Sequence, residues 1–217
     1  MFPYAEGYFY SDLENWNQKI LRVEDQFAAL CYAFGVLPDY NISQSIAEQI
    51  SYVNRNKTRT PANVLEIGPG RGELSCTLSK MGVSVTPIDI ATNIQNWFNR
   101  TGKHFFGEDF IVPKVIENNI QEVSIDFRKF DTIIMVESIE HIAQEEFQST
   151  WDNICTDFKG LFCVTNALCM HPIPIGDWGK DAEKQHCRII DDELYDQLSK
   201  KADRTVYRNN SHLVLEF

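Results

Sequence analysis

Long apolar runs are missing from this chain: no uninterrupted stretch of about 18 hydrophobic residues occurs, so no membrane-spanning helix is expected. No charged-then-apolar leader opens the segment Met1 to Tyr10, which removes the secretory signal and leaves a cytoplasmic protein as the expectation. Paired cysteines are missing too. Cys31, Cys76, Cys155, Cys163, Cys169 and Cys187 contain no C-x-x-C spacing, which argues against a zinc knuckle and against a disulfide framework. They read as small buried hydrophobes. Positive charge is also short: 20 Lys and Arg against 31 Asp and Glu leave a net charge of −11. Approach to a phosphate backbone would then add repulsion where nucleic-acid binders gain from counterion release. The expected partner is a small neutral or cationic molecule. Nucleic acid and membrane are not expected, and oligomeric state is left open.

What is present suffices for one large domain with an appended cap. At 217 residues with 43% hydrophobic content, a single well-buried core is available. Leu13, Trp16, Ile20, Val23, Phe27, Leu30 and Phe34 recur at steps of three and four, which predicts a long helix. A shorter stripe at Ile42, Ile46, Ile50 and Val53 follows, with Asn41 or Ser43 as its cap. These two helices make residues 1–58 a helical cap and 59–217 the main domain. Residues 54–61 carry Arg55, Lys57 and Arg59 and read as a linker, its charges forming either a contact patch or a solvated loop.

Beyond Pro61 strands alternate with helices, the pattern of a parallel sheet covered on both faces. Strands are predicted near 63–67, 83–88, 114–117, 131–136 and 160–165, and helices near 71–81, 91–102, 144–158 and 191–201. Residues 204–208 and 212–217 are β-rich runs joined by Asn209-Asn210-Ser211, a hairpin signal. The fold class is therefore α/β: a doubly wound, mostly parallel seven-stranded sheet ending in an antiparallel hairpin, with an N-terminal helical cap. No internal repeat or low-complexity segment interrupts it.

The most informative segment is Val64-Leu65-Glu66-Ile67-Gly68-Pro69-Gly70-Arg71-Gly72, with Asp89 following. Glycines at Gly68, Gly70 and Gly72 let a strand turn into a helix with its backbone close to a ligand. A dinucleotide loop needs G-x-G-x-x-G, but here the third glycine comes one position early and Glu73 occupies the dinucleotide position. Glu66 would oppose a pyrophosphate and suits a ligand with an ammonium or sulfonium. These residues resemble the class I S-adenosylmethionine-dependent methyltransferases, a likeness that covers roughly residues 60–217. The resemblance implies S-adenosylmethionine as cofactor, with Glu66 near its amino group and Gly68, Gly70 and Gly72 under its methionine part. It further implies that Asp89 and Ile90 hold the ribose end, that Asn119 and Ile120 meet the adenine, and that Val136 lines the site. In the family an acid commonly stands where this chain has Asn119, and a turn asparagine is the competing reading.

Residues 130–142 form a second resemblance, since F-D at Phe130-Asp131 leads to Glu137-Ser138-Ile139-Glu140-His141. If Glu137 begins a helical turn, Glu140 and His141 fall at i+3 and i+4 and three ligand-type side chains converge. Two carboxylates and an imidazole suit a divalent ion such as Mg, Mn or Zn. Similar triplets in ubiquinone-pathway and small-RNA 2′-O-methyltransferases imply a metal on Glu137, Glu140 and His141, with His186 as fourth ligand. The alternative is a helix-end arrangement without metal, with His141 beside the substrate.

The activity expected is methyl transfer to a hydroxyl or amine of a small molecule, with Glu137, His141 and His186 as candidate catalytic groups. Phe2, Tyr4, Tyr8, Phe9, Tyr10 and Trp178 are either a lid over an apolar acceptor or core plugs. Three alternatives stand beside this: a metal-dependent RNA-end 2′-O-methyltransferase, a non-catalytic subunit that binds S-adenosylmethionine, and, last, a nicotinamide enzyme.

Overall fold

The structure, a computed structural model, describes residues 23–42, 45–142, 144–165 and 191–217. Two helices come first, α1 (Val23–Ala33) and α2 (Ile46–Asn56). Five strands and three helices then alternate as β1 (Asn63–Ile67), α3 (Glu73–Lys80), β2 (Ser84–Asp89), α4 (Ile94–Phe106), β3 (Ile116–Glu117), β4 (Thr132–Val136), α5 (Gln144–Asp157) and β5 (Leu161–Thr165). The chain closes with α6 (Asp192–Ser199) and the hairpin β6 (Arg204–Arg208) and β7 (His212–Glu216).

The seven strands lie in the order β3-β2-β1-β4-β5-β7-β6. The first five are parallel, and β7 runs antiparallel to both β5 and β6. Alternate residues feed opposite faces, as a pleat requires. On β4, Ile133 and Met135 join Trp151, Phe158 and Tyr195 on the α5–α6 side, while Ile134 joins Leu30, Leu74 and Leu78 on the α1–α3 side. Strand order reverses between β1 and β4, and at such a switch point the loops beyond the carboxyl ends diverge to leave a crevice.

Several predicted boundaries shift for local reasons. The described part of the first stripe is α1, where every residue from Phe27 to Phe34 is buried against the sheet; Leu13, Trp16 and Ile20 lie outside the described residues. The second helix starts at Ile46 behind Ser45 rather than at Asn41, and Ser43 lies outside the described residues. α3 begins only at Glu73, because Gly72 still belongs to the turn with φ 84°. β3 shrinks to two residues, since Pro113 has no amide hydrogen for a ladder and the amide of Val115 is taken by the Gln95 side chain at 2.8 Å. α4 runs on to Phe106, until Gly107 with φ 92° ends it.

The basic linker is fastened to the sheet. Arg59 reaches Asp131 at 3.4 Å and Thr132 at 3.0 Å, and Asp131 also accepts the amides of Ala62 at 2.6 Å and Asn63 at 3.2 Å. Arg55 and Lys57 bond Ser51 and Asn54 locally. Cys31, Cys76 and Cys163 are buried, and burial pushes the Cys31 and Cys76 thiols up to about 12, which keeps them unreactive. Cys169 and Cys187 fall outside the described residues. No described helix is long and apolar enough to cross a membrane.

Candidate functional site

The crevice is built on β1. Glu66 is 2% exposed between the apolar Leu65 and Ile67, and its carboxylate accepts a hydrogen bond from the hydroxyl of Ser75 on α3. Burial pushes its pKa up to about 7; the Ser75 bond opposes that shift, and Glu73 and Asp89 add to it. After Ile67 the chain turns through Gly68, whose amide bonds Ile88 O at 2.9 Å and ties the turn to β2. Gly70 and Gly72 both need positive φ, at 57° and 84°. They differ in their surroundings. A Cβ on Gly72 would meet the Phe98 ring at 2.7 Å, so that glycine is required by packing, whereas a Cβ on Gly70 would meet nothing within 4 Å. Gly70 therefore presents bare backbone to an open space, the surface that a bound ligand needs.

Asp89 ends β2, its Oδ1 accepting the Ala91 amide at 2.9 Å. Burial pushes its pKa up to about 6, against the backbone amides of Ala91, Gly70 and Ile90. Ile90 follows it half-buried. Glu117, at the end of β3, accepts from the amides of Asn93 and Gln95 and so fixes the start of α4. Asn119 forms an Asx turn, with Oδ1 accepting the Gln121 amide at 3.1 Å, and Ile120 is buried beside it. Glu66, Gly68, Gly70, Gly72, Asp89, Ile90, Asn119 and Ile120 thus all lie at the carboxyl ends of β1, β2 and β3, and Val136 ends the neighbouring β4.

The segment after β4 differs from expectation. Glu137 does not begin a helical turn: its φ is 50°, and its amide bonds Thr165 O at 2.9 Å. Ser138 caps β1 instead, donating to Ile67 O at 2.8 Å and standing 2.5 Å from where a Gly68 Cβ would be. Ile139–His141 is then a short 3-10 turn that buries Glu140 to 1% exposure, with His141 Nε2 3.9 Å from Glu140 Oε1. The left-handed residue removes the helical i, i+3, i+4 spacing from which convergence of Glu137, Glu140 and His141 was expected. Among the described residues no group of three His, Cys, Asp or Glu side chains fits a metal ion. The helical turn on which the expected divalent-ion site was built is therefore absent, and His186, its expected fourth ligand, lies outside the described residues.

Three polar features escaped the sequence reading. Ser75 sets the Glu66 carboxylate, Arg71 pairs with Glu73 at 2.9 Å beside the turn, and His212 is buried between Asp25 and Tyr32. Only Arg71 had a local signal, its place between two glycines. A groove of about 800 Å³ between α2, α3 and the end of α4 touches the turn at Arg71 and Glu73 but includes none of Asp89, Asn119 or Val136.

This sheet order and glycine turn define a Rossmann-like methyltransferase domain. The family described as "Methyltransferase domain" matches residues 40–208, and the chain belongs to it as a class I S-adenosylmethionine-dependent methyltransferase. Among solved structures it is similar to the glycopeptide N-methyltransferase MtfA complexed with S-adenosylmethionine, at 13% identity over 83% of this chain and 96% of that one, with TM-score 0.54. TehB from Haemophilus influenzae gives TM-score 0.55 at 15% identity over 89% and 66%. The N-methyltransferase NodS from Bradyrhizobium japonicum WM9 gives 0.50 at 16% over 73% and 85%. At such identities the likeness is one of fold. No match to a curated protein sequence was found.

Proposed function

We propose that the chain transfers a methyl group from S-adenosylmethionine to a hydroxyl or amine of a small molecule, with residues 1–58 as a helical cap on the domain 59–217. The observation that carries this is Glu66: a buried acid whose neighbour is a neutral hydroxyl awaits a cation, and the open backbone of Gly70 lies in the same turn. Glu66 takes the amino group of the cofactor, Gly68, Gly70 and Gly72 pass beneath its amino-acid part, and Asp89 accepts from the ribose hydroxyls. Ile90 and Ile120 flank the adenine. Asn119 Oδ1, which already accepts one amide, has a lone pair left for the adenine amino group. Val136 borders the sulfonium end. Bound there, the cofactor supplies an electrophilic methyl on sulfur.

The protein's part is then alignment and proton handling. Glu137 and His141 follow β4 directly and are the described groups in place to orient the acceptor and take its proton. The MtfA and NodS structures carry N-methyltransferase descriptions on this fold, which supports the amine within the proposed pair. The RNA-end alternative leaned on the metal triplet, and the backbone at Glu137 withdraws that support. Incubation with tritiated S-adenosylmethionine and a fractionated cell extract tests the proposal. Label in the small-molecule fraction is expected. Label in the RNA fraction, or cofactor binding with no transfer into any fraction, would overturn it.

A further inference from the structure

Two side chains of α1 and one of β7 form one buried chain of hydrogen bonds. Tyr32 OH lies 3.1 Å from His212 Nδ1, and His212 Nε2 lies 3.0 Å from Asp25 Oδ1. Asp25 and Tyr32 are two turns apart on one face of α1, and the tyrosine leans towards the helix N-terminus, so the pair brackets the imidazole. His212 is 4% exposed and Tyr32 5%, while the Asp25 side chain is 14% exposed. The aspartate therefore forms the open end of the chain.

The Nε2–H tautomer satisfies all three groups: a carboxylate only accepts, so Nε2 carries the hydrogen and Nδ1 is left to accept. Tyr32 must then donate, and burial pushes its phenol pKa far upward, which keeps that proton in place. With both nitrogens occupied, His212 has no lone pair for a substrate. It acts through Asp25.

The location gives this chain its meaning. His212 opens β7 directly opposite Thr165, the last residue of β5, and Thr165 donates its hydroxyl to Asp25 O at 3.1 Å. Thr165 in turn pairs with Val136 and accepts the amide of Glu137. The cofactor residues proposed above occupy the carboxyl ends of β1, β2 and β3. Asp25 thus stands over the other half of that edge, above β5, with Oδ2 lacking a hydrogen-bond partner among the described residues.

We propose that His212 is a positioning residue: with Tyr32 behind it, it fixes Asp25 and the first turn of α1 over the acceptor half of the site. The assignment of that half rests on the methyltransferase reading; the hydrogen-bond chain itself does not. Nitrogen-15 NMR of histidine-labelled protein, hydrogen exchange and calorimetric binding of S-adenosylhomocysteine test it together.

The wild-type His212 spectrum is expected to show the Nε2–H tautomer, and Asp25→Asn to weaken that preference. His212→Gln, whose amide still donates to Asp25, is expected to keep the exchange of residues 24–28 within about threefold of wild type. His212→Phe should speed it at least tenfold while leaving α4 exchange unchanged and S-adenosylhomocysteine affinity within twofold. An Nδ1–H tautomer, unchanged exchange in His212→Phe, or an equal rise across α3 and α4 in both variants would overturn the proposal. If His212→Phe does not fold, Tyr32→Phe and Asp25→Asn give the same tautomer readout. Failure of wild type to bind S-adenosylhomocysteine would count against the methyltransferase reading and leave the tautomer result standing.

Discussion

Ser75 on α3 donates its hydroxyl to the carboxylate of Glu66 on β1, across the turn that joins the two elements. A buried acid with a neutral partner is held far from its ordinary 4.5, near 7. A folded-state pKa raised in this way gives stability that is fully present below pH 4.5 and lost as pH rises through about 7. Compared with Glu66→Gln, which cannot titrate, the cofactor-free wild type should lose on the order of 3 kcal/mol between those limits. Urea unfolding of both proteins across the window measures the difference, and parallel curves would refute it.

Cofactor binding should show the reverse dependence, because a cationic amino group selects the ionised acid. S-adenosylhomocysteine affinity is expected to weaken roughly tenfold per pH unit below about 7, with release of close to one proton on binding in that range and none well above it. Calorimetry in two buffers of different ionisation enthalpy reads the proton directly. Ser75→Ala removes the bond that opposes the shift, so the midpoint should move to higher pH and affinity at neutral pH should fall by about tenfold.

Gly70→Ala and Gly72→Ala should separate binding from folding. At Gly72 the left-handed backbone and the Phe98 ring act together, and a loss of roughly 3 kcal/mol, or about 6–12 °C in melting temperature, is expected. At Gly70 the new methyl meets no protein atom, so melting should fall only about 2–4 °C while S-adenosylhomocysteine affinity drops at least tenfold. Thermal melts with and without the ligand distinguish the two outcomes.

Trp151 lies 4.9 Å from Phe162, 5.5 Å from Phe217 and stacks 6.0 Å from Phe147. Trp151→Ala should cost about 3–5 kcal/mol of folding stability. The pH dependence of ligand affinity should be unchanged, since this cluster lies on the α5–α6 face, away from Glu66. Denaturation and binding measured on one preparation check both halves.

Glu137 sits at φ 50°, which costs most residues about 1–2 kcal/mol. Glu137→Gly should therefore melt within about 2 °C of wild type or slightly above it, and Glu137→Val several degrees below. Equal melting temperatures for the glycine and valine variants would show that the turn relaxes freely.

The β1–turn–α3 unit was readable because its signal is local. Apolar alternation, an acid and three closely spaced glycines occupy nine consecutive residues, and backbone sterics link them to geometry. The sheet order followed from the alternation of elements and the Asn209–Ser211 turn. The helical turn expected at Glu137 is absent because the spacing assumed a helical backbone, and one left-handed residue is invisible in a pattern of side-chain types. Asn119 took the turn role that its neighbours allowed, while retaining one lone pair. The Asp25–His212–Tyr32 chain had no local signal, since 187 residues separate Asp25 from the histidine at its centre and only the placement of β7 brings them together.

That placement also orders events in time. β7 is the final strand in sequence, yet it lies between β5 and β6 rather than at an edge. As the chain leaves the ribosome, β1 to β5 can pair as they appear, but β6 has no neighbour in the sheet until residues 212–216 follow it. The hairpin must then enter as a unit along the bare side of β5. Until it does, β5 offers an unpaired edge for mispairing with another nascent chain, and α1 lacks the histidine that fastens it.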